Sequence, residues 1–200
     1  VDIIPWVFTT GWASGINAYL VVVLLGGVER FHPLTQIPDV LARTDVLVVA
    51  GVLFLLEMFA DKIPYVDSVW DSVHTVVRPA VGTALAYLIA GDASSMEQAL
   101  AATTGGVTAL ASHAVKAGLR AAANTTPEPA SNIVLSVGED VTAASVVSLA
   151  IIAPYVAAGI AALLLFVGLS IVIVLFRRIM RWRRNRRRKA AGSVGESPAY

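Results

Sequence analysis

Asp67, Asp71, His74 and Arg78 fall at positions i, i+4, i+7 and i+11. If this segment is helical, that spacing sets all four on one face. Glu57, Asp61 and Lys62 lie just ahead of them. Two carboxylates and an imidazole on one face can ligate a hard or borderline divalent cation. They can equally relay protons, because an imidazole titrates near neutral pH. The plainer alternative is a loop at a membrane surface, its charges solvated or neutralised by Lys62 and Arg78. Pro64 predicts a turn or broken helix here, of the kind tolerated at membrane depth only beside protein or a cavity.

A second group is basic. Ala109, His113, Lys116 and Arg120 repeat the same spacing in a stretch that also holds Gly105, Gly106, Thr108 and Ser112. Such a stripe can bind an anion or a lipid phosphate, pair with the acidic cluster, or snorkel to the interface. A third group is Ser14 and Asn17, beside Gly11 and Gly15. The two glycines form a G-x-x-x-G pair that lets helices approach closely. Asn17 then either joins two helices or contacts a solute. Glu139 and Asp140 precede an apolar run and read either as a further site or as charge at a helix start, where an anion is favoured.

The elements that must position these groups are membrane helices. Of the 200 residues, 56% are hydrophobic and 14% charged, with a mean hydropathy of +0.73. So few charges cannot cover a soluble domain. Apolar runs lie at about 5–28, 45–59, 72–90, 96–123 and 141–176. Pro5 suits a first helical turn, and Ser94 or Ser95 an N-cap. The stretch Asn124–Ser131 reads as a surface loop. The last run has 36 residues, about 54 Å of helix at about 1.5 Å each, against a hydrocarbon core of about 30 Å. Either Pro154 divides it into two spans, or one long helix tilts or kinks. The expectation is an all-α transmembrane bundle of five or six spans, with a broken or re-entrant segment.

The net charge of +1 conceals an asymmetry. Residues 1–176 carry 6 Lys and Arg against 13 Asp and Glu, a net −7, while residues 177–200 carry 9 against 1, a net +8. The basic residues Arg177, Arg178, Arg181, Arg183, Arg184, Arg186, Arg187, Arg188 and Lys189 follow the last span directly. The positive-inside rule places this end in the cytoplasm of a multi-pass cell-membrane protein. The partner expected for the tail is the bilayer and its anionic headgroups rather than nucleic acid, with Trp182 as an interfacial anchor. Residues 190–200 read as disordered. Asp2 is the only charge near the start, so the first run reads as a retained helix rather than a signal peptide.

Several chemistries lack their motifs. With no cysteine there is no disulfide or thiolate site. No P-loop, dinucleotide fingerprint, G-x-S-x-G or paired-histidine metalloprotease motif occurs, so neither enzyme activity nor a cofactor is expected. Thr9-Thr10-Gly11 returns as Thr103-Thr104-Gly105, 94 residues on, and Ser68–Val73 is echoed by Ser136–Val141, 68 residues on. An ancestral duplication and chance likeness among small-residue helices both fit.

Gly11–Tyr19 (GWASGINAY), Glu57–Pro79 (EMFADKIPYVDSVWDSVHTVVRP) and Thr103–Arg120 (TTGGVTALASHAVKAGLR) together are similar to a bacterial membrane family classed as a domain of unknown function, number 4126. The resemblance covers most of residues 5–176, and the tail looks like an addition of an actinobacterial type. It implies a small multi-span membrane protein and brings no reaction or substrate. From the residues, the expected function is a small transporter or channel-like protein for an ion or small solute, proton coupling included. Its path would run between Glu57–Arg78 and His113–Arg120, with Ser14 and Asn17 lining it. The alternatives are an accessory or scaffold subunit of a membrane complex or homo-oligomer, and a lipid-phosphate carrier.

Overall fold

A computed structural model describes residues 3–63, 65–124 and 129–193. Among them are six α-helices and no strand: α1 (Ile4–Phe31), α2 (Thr44–Ala60), α3 (Val66–Ala90), α4 (Ser95–Ala123), α5 (Pro129–Ile152) and α6 (Pro154–Ser193). A short 3-10 helix, Asp39–Ala42, joins α1 to α2.

The distribution of side chains is inverted relative to a water-soluble protein. Arg78 and Glu57 are 0% exposed, whereas Ile152 is 84% exposed and Val76 73%. An apolar exterior around a charged interior is the pattern of a bundle whose solvent is lipid. Four stretches, Ile4–Phe31, Val66–Ala90, Ile133–Ile152 and Pro154–Trp182, are long and apolar enough to cross a membrane. Of the other two helices, α2 has only 17 residues, and α4 is rich in Ala, Gly and Thr and so is less apolar. The chain is therefore an all-helical bundle of membrane type.

The helix ends follow local chemistry. Pro5 lies in the first turn of α1, where its missing N–H costs nothing. Gly91, at φ +54, closes α3; that left-handed region is open to glycine without a Cβ penalty. Ser94 caps α4 in a reciprocal box with Glu97. Pro154 ends the α5 hydrogen-bond ladder and opens α6, so the last apolar region is two helices rather than one.

Three expected boundaries move. α3 begins at Val66 rather than near residue 72, and α5 at Pro129 rather than near residue 141. Both corrections have one cause. Asp67, Asp71, Glu139 and Asp140 make these starts look like polar loops, but the carboxylates have partners inside the bundle. Residues 129–131 of the expected surface loop are thus helical, while 125–128 and Pro64 lie outside the described residues. α6 continues without interruption through the start of the basic tail to Ser193, beyond the expected onset of disorder, and residues 194–200 lie outside the description.

The centre of the bundle is α1, α3 and α4, with α3 against α4 the most extensive packing. Glycines set its closeness. A Cβ on Gly11 would lie 2.7 Å from the Gly105 carbonyl oxygen, and one on Gly105 would lie 2.5 Å from that of Gly82. The backbones of the three helices therefore touch. The G-x-x-x-G pair of α1 acts within the chain, because Gly15 meets the main chain of Ala109 on α4. Contacts of Gly11 with Gly105 and of Ile16 with Lys116 advance together, so α4 runs parallel to the first half of α1. α3 is antiparallel to α4, since Gly82 meets Gly105 and Thr75 meets His113.

Candidate functional site

α1 is broken at its centre. Asn17 has φ −150 and ψ 97, far from helical values, with helix on either side. A break there removes the i to i−4 bonds that would span it, releasing the carbonyls of Ser14, Gly15 and Ile16. Asn17 Oδ1 accepts from the Leu20 N–H at 3.0 Å, capping the second half-helix. The Gly15 carbonyl accepts from Arg78 at 3.4 Å and the Ile16 carbonyl from Lys116 at 3.0 Å. Asn17 Nδ2 donates to Asp140 on α5 at 2.9 Å. Asn17 is thus a helix-joining residue and a cap at once. The break expected around Pro64 falls between the end of α2 at Ala60 and the start of α3 at Val66, with Pro64 itself outside the described residues; the break in α1 is a second one, of which the apolar sequence gives no warning.

Both predicted stripes are real faces. Asp67, Asp71, His74 and Arg78 are all buried on α3, and Ala109, His113, Lys116 and Arg120 on α4. The two faces meet, with Glu57 of α2 and Asp61, the residue that follows its end, between them. Arg78 Nη2 donates to Glu57 Oε1 at 2.5 Å. Lys116 Nζ lies 2.6 Å from Asp61 Oδ2, 3.4 Å from Glu57 Oε1 and 3.8 Å from Glu139 Oε2. Arg120 Nη2 reaches Asp61 Oδ2 at 3.2 Å and Glu139 Oε2 at 2.8 Å, and its Nη1 lies 3.7 Å from Asp67 Oδ2. Lys116 and Arg120 are therefore engaged by protein carboxylates, which is the expected pairing with the acidic cluster rather than snorkelling to the interface. Lys62 does not join the network; it donates to the Met58 carbonyl of its own helix at 2.7 Å.

Asp71 stands apart. Arg78 Nη1 is 3.1 Å from Asp71 Oδ1, yet it hydrogen-bonds to His113 Nδ1 at 2.7 Å and to the Gly15 carbonyl. Both Asp71 oxygens are buried without a hydrogen-bond partner among the described residues. Glu57 Oε2, Asp61 Oδ1, Glu139 Oε1 and Ser14 Oγ are in the same condition.

The histidines are held in defined tautomers. A guanidinium can only donate, so His113 Nδ1, facing Arg78, is an acceptor, and its Nε2–H donates to Thr75 Oγ1 at 3.1 Å. Thr75 Oγ1 in turn donates to the Asp71 carbonyl at 3.0 Å. A carbonyl can only accept, so His74 Nδ1–H donates to Trp70 O at 2.8 Å, leaving Nε2 to meet the Tyr19 hydroxyl at 3.1 Å. Trp70 stacks on the imidazole with centroids 4.8 Å apart. Both rings of His74 and His113 are thus fully occupied by protein. Among the described residues no group of three or more His, Asp and Glu converges as metal ligands, so the divalent-cation reading of the α3 face is not carried by the geometry.

Tyr19, Trp70 and Thr75 complete the site without any sequence signal beyond their place near the stripes. Glu139 and Asp140 were legible through the echo with Ser68–Val73. In the tail, Arg177, Arg178, Arg181 and Arg184 are exposed along the extension of α6, as is Trp182. The side chains of Arg183, Arg186, Arg187, Arg188 and Lys189 lie outside the described residues.

No curated protein and no solved structure matches the chain. The profile of one family, a domain of unknown function numbered 4126 (DUF4126), matches residues 4–174. That span takes in all six helices up to the end of the apolar part of α6, and with it every residue of the buried network. The chain belongs to the DUF4126 family.

Proposed function

We propose that this protein is a small membrane transporter or channel-like protein for protons or a small cation, with Asp71 as the group that takes up and releases the charge. The observation that carries the reading is the charge balance of the core. Among the described residues, Glu57, Asp61, Asp71 and Glu139 form their ion pairs with Arg78, Lys116 and Arg120. Four carboxylates against three cations leave a formal −1 when all are ionised. An uncompensated charge away from water costs several kcal/mol on the order of a broken buried pair. A proton or a small cation relieves that cost, and Asp71 is the acid least committed to the protein.

The broken α1 supports the same reading. Interrupted helices beside intramembrane charges recur at the substrate sites of secondary transporters. The likeness of Thr9–Gly11 to Thr103–Gly105 adds support, since Gly11 and Gly105, equivalent under the 94-residue offset, face one another across the α1–α4 contact. We read this as a duplicated half with the site at the interface. The protein acts on its solute by moving it, without bond chemistry. It lies in the cell membrane with the basic end of α6 in the cytoplasm against anionic headgroups.

The test is proton and cation flux in liposomes, comparing the wild type with Asp71→Asn. Flux that depends on Asp71 supports the reading. Silence across a panel of ions in correctly inserted protein moves the account to a structural subunit.

A further inference from the structure

Beside the ion network lies a cavity of about 310 Å³, walled by α1, α4, α5 and α6. Its size is that of a small-molecule site. Most of its lining is apolar, including Trp12, Leu119, Leu135 and Leu165, and Lys116 and Glu139 form its charged end.

The polar atoms at that end are unequal. Lys116 Nζ is already met by Asp61, Glu57 and the Ile16 carbonyl. Ser112 Oγ donates to the Trp12 carbonyl at 2.7 Å, and Thr142 Oγ1 to that of Gly138 at 2.6 Å. Glu139 Oε2 takes Arg120, but Glu139 Oε1 is buried with no partner among the described residues. The carboxylate thus keeps unused acceptor capacity at the cavity's charged end. The wall is also open at one defined point, because a Cβ on Gly138 would meet nothing within 4 Å.

We propose that this cavity binds a cationic amphiphile, a primary ammonium on an apolar chain or ring, with the ammonium donating to the Glu139 carboxylate and the apolar part against Trp12 and the leucines. Charge decides the class. The adjoining core holds more carboxylates than cations, so an ammonium reduces the imbalance whereas a carboxylate or phosphate enlarges it. Both basic side chains nearest the cavity, Lys116 and Arg120, already face protein carboxylates, which leaves no free cation among the described residues there to receive a lipid phosphate. The binding of this amphiphile rests on the cavity and its charge, not on the transport reading.

The experiment is saturation binding of labelled decylamine to the full chain in nanodiscs of zwitterionic lipid, over protein-free discs. Decanol and decanoate serve as competitors. Two variants address the site. Glu139→Gln keeps the size and removes the charge. Gly138→Leu fills the open wall without touching an ion pair and replaces glycine with a better helix former. The expected result is one saturable site in the wild type, weakened about tenfold or more by Glu139→Gln, as a charged hydrogen bond implies, and abolished by Gly138→Leu. Decanoate should not compete, and decanol only weakly. Binding equal in the wild type and both variants, or decanoate competing as well as the amine, overturns the proposal. Amine binding that meets these expectations in protein without ion flux upholds the site while removing transport; Asp71→Asn that loses flux yet binds the amine upholds both.

Discussion

Lys116 on α4 donates to the main-chain carbonyl of Ile16, 3.0 Å away, the last carbonyl before α1 breaks at Asn17. In an unbroken helix that oxygen would accept from Leu20. Here the Leu20 N–H is taken by the Asn17 side chain. One asparagine therefore frees the acceptor that helps to hold a buried ammonium, and a local backbone choice becomes part of the electrostatics of the core.

Asn17→Ala removes both the cap on Leu20 and the donor to Asp140. The lost cap alone costs about 0.5–2 kcal/mol, and a stranded Asp140 adds to it. Equilibrium unfolding in mixed micelles should show a loss at the upper end of that range or beyond. Stability equal to the wild type would show that the break does not depend on this side chain.

Arg78→Met leaves Glu57 and Asp71 without their shared cation in a site that is fully buried. Breaking a buried pair from one side typically costs about 3–5 kcal/mol. Adding Glu57→Gln should restore part of the loss, because one of the two carboxylates left without Arg78 is then neutral. A double-mutant cycle with no coupling between positions 57 and 78 would contradict the ion-pair assignment.

Gly105→Ala sets a methyl 2.4 Å from the Ala86 Cβ and 2.5 Å from the Gly82 carbonyl. Backbone cannot yield there as a flexible side chain does, so overpacking should cost about 1–3 kcal/mol. Gly51→Ala is the control, since nothing lies within 4 Å of its Cβ position. It should change stability by less than about 1 kcal/mol. Similar losses at both positions would mean that close helix approach is not what Gly105 provides.

The stripes on α3 and α4 were legible in the sequence because carboxylates and bases at helical spacing in an apolar chain have few places to go but inward. Their mutual pairing was not, since nothing local distinguishes a stripe that binds an anion from one that meets Asp61 and Glu57. The starts of α3 and α5 were hidden for the reason that makes them functional candidates: Asp67 and Glu139 read as charges ahead of an apolar helix while they are partners of Arg120, Asp67 buried and Glu139 partly so. The break at Asn17 left no sequence signal, as GWASGINAY carries no proline and reads as continuous helix. Asn17 caps the second half-helix, and the donors that meet the released carbonyls, Arg78 and Lys116, come from α3 and α4, distant in sequence.

Topology can be checked on this chain with little preparation, because it has no cysteine. With the basic extension of α6 in the cytoplasm, a membrane-impermeant maleimide should label Arg184→Cys in inside-out vesicles and spare it in intact cells. Labelling from the outside would reverse the orientation.

The most direct test of the central claim is flux through the purified protein. Liposomes containing the wild type and an internal dye should dissipate an imposed proton or cation gradient, and Asp71→Asn, inserted to the same extent, should not. Wild-type protein that passes no ion across a broad panel, or an Asp71→Asn variant as active as the wild type, would contradict the account of Asp71 as the charge carrier.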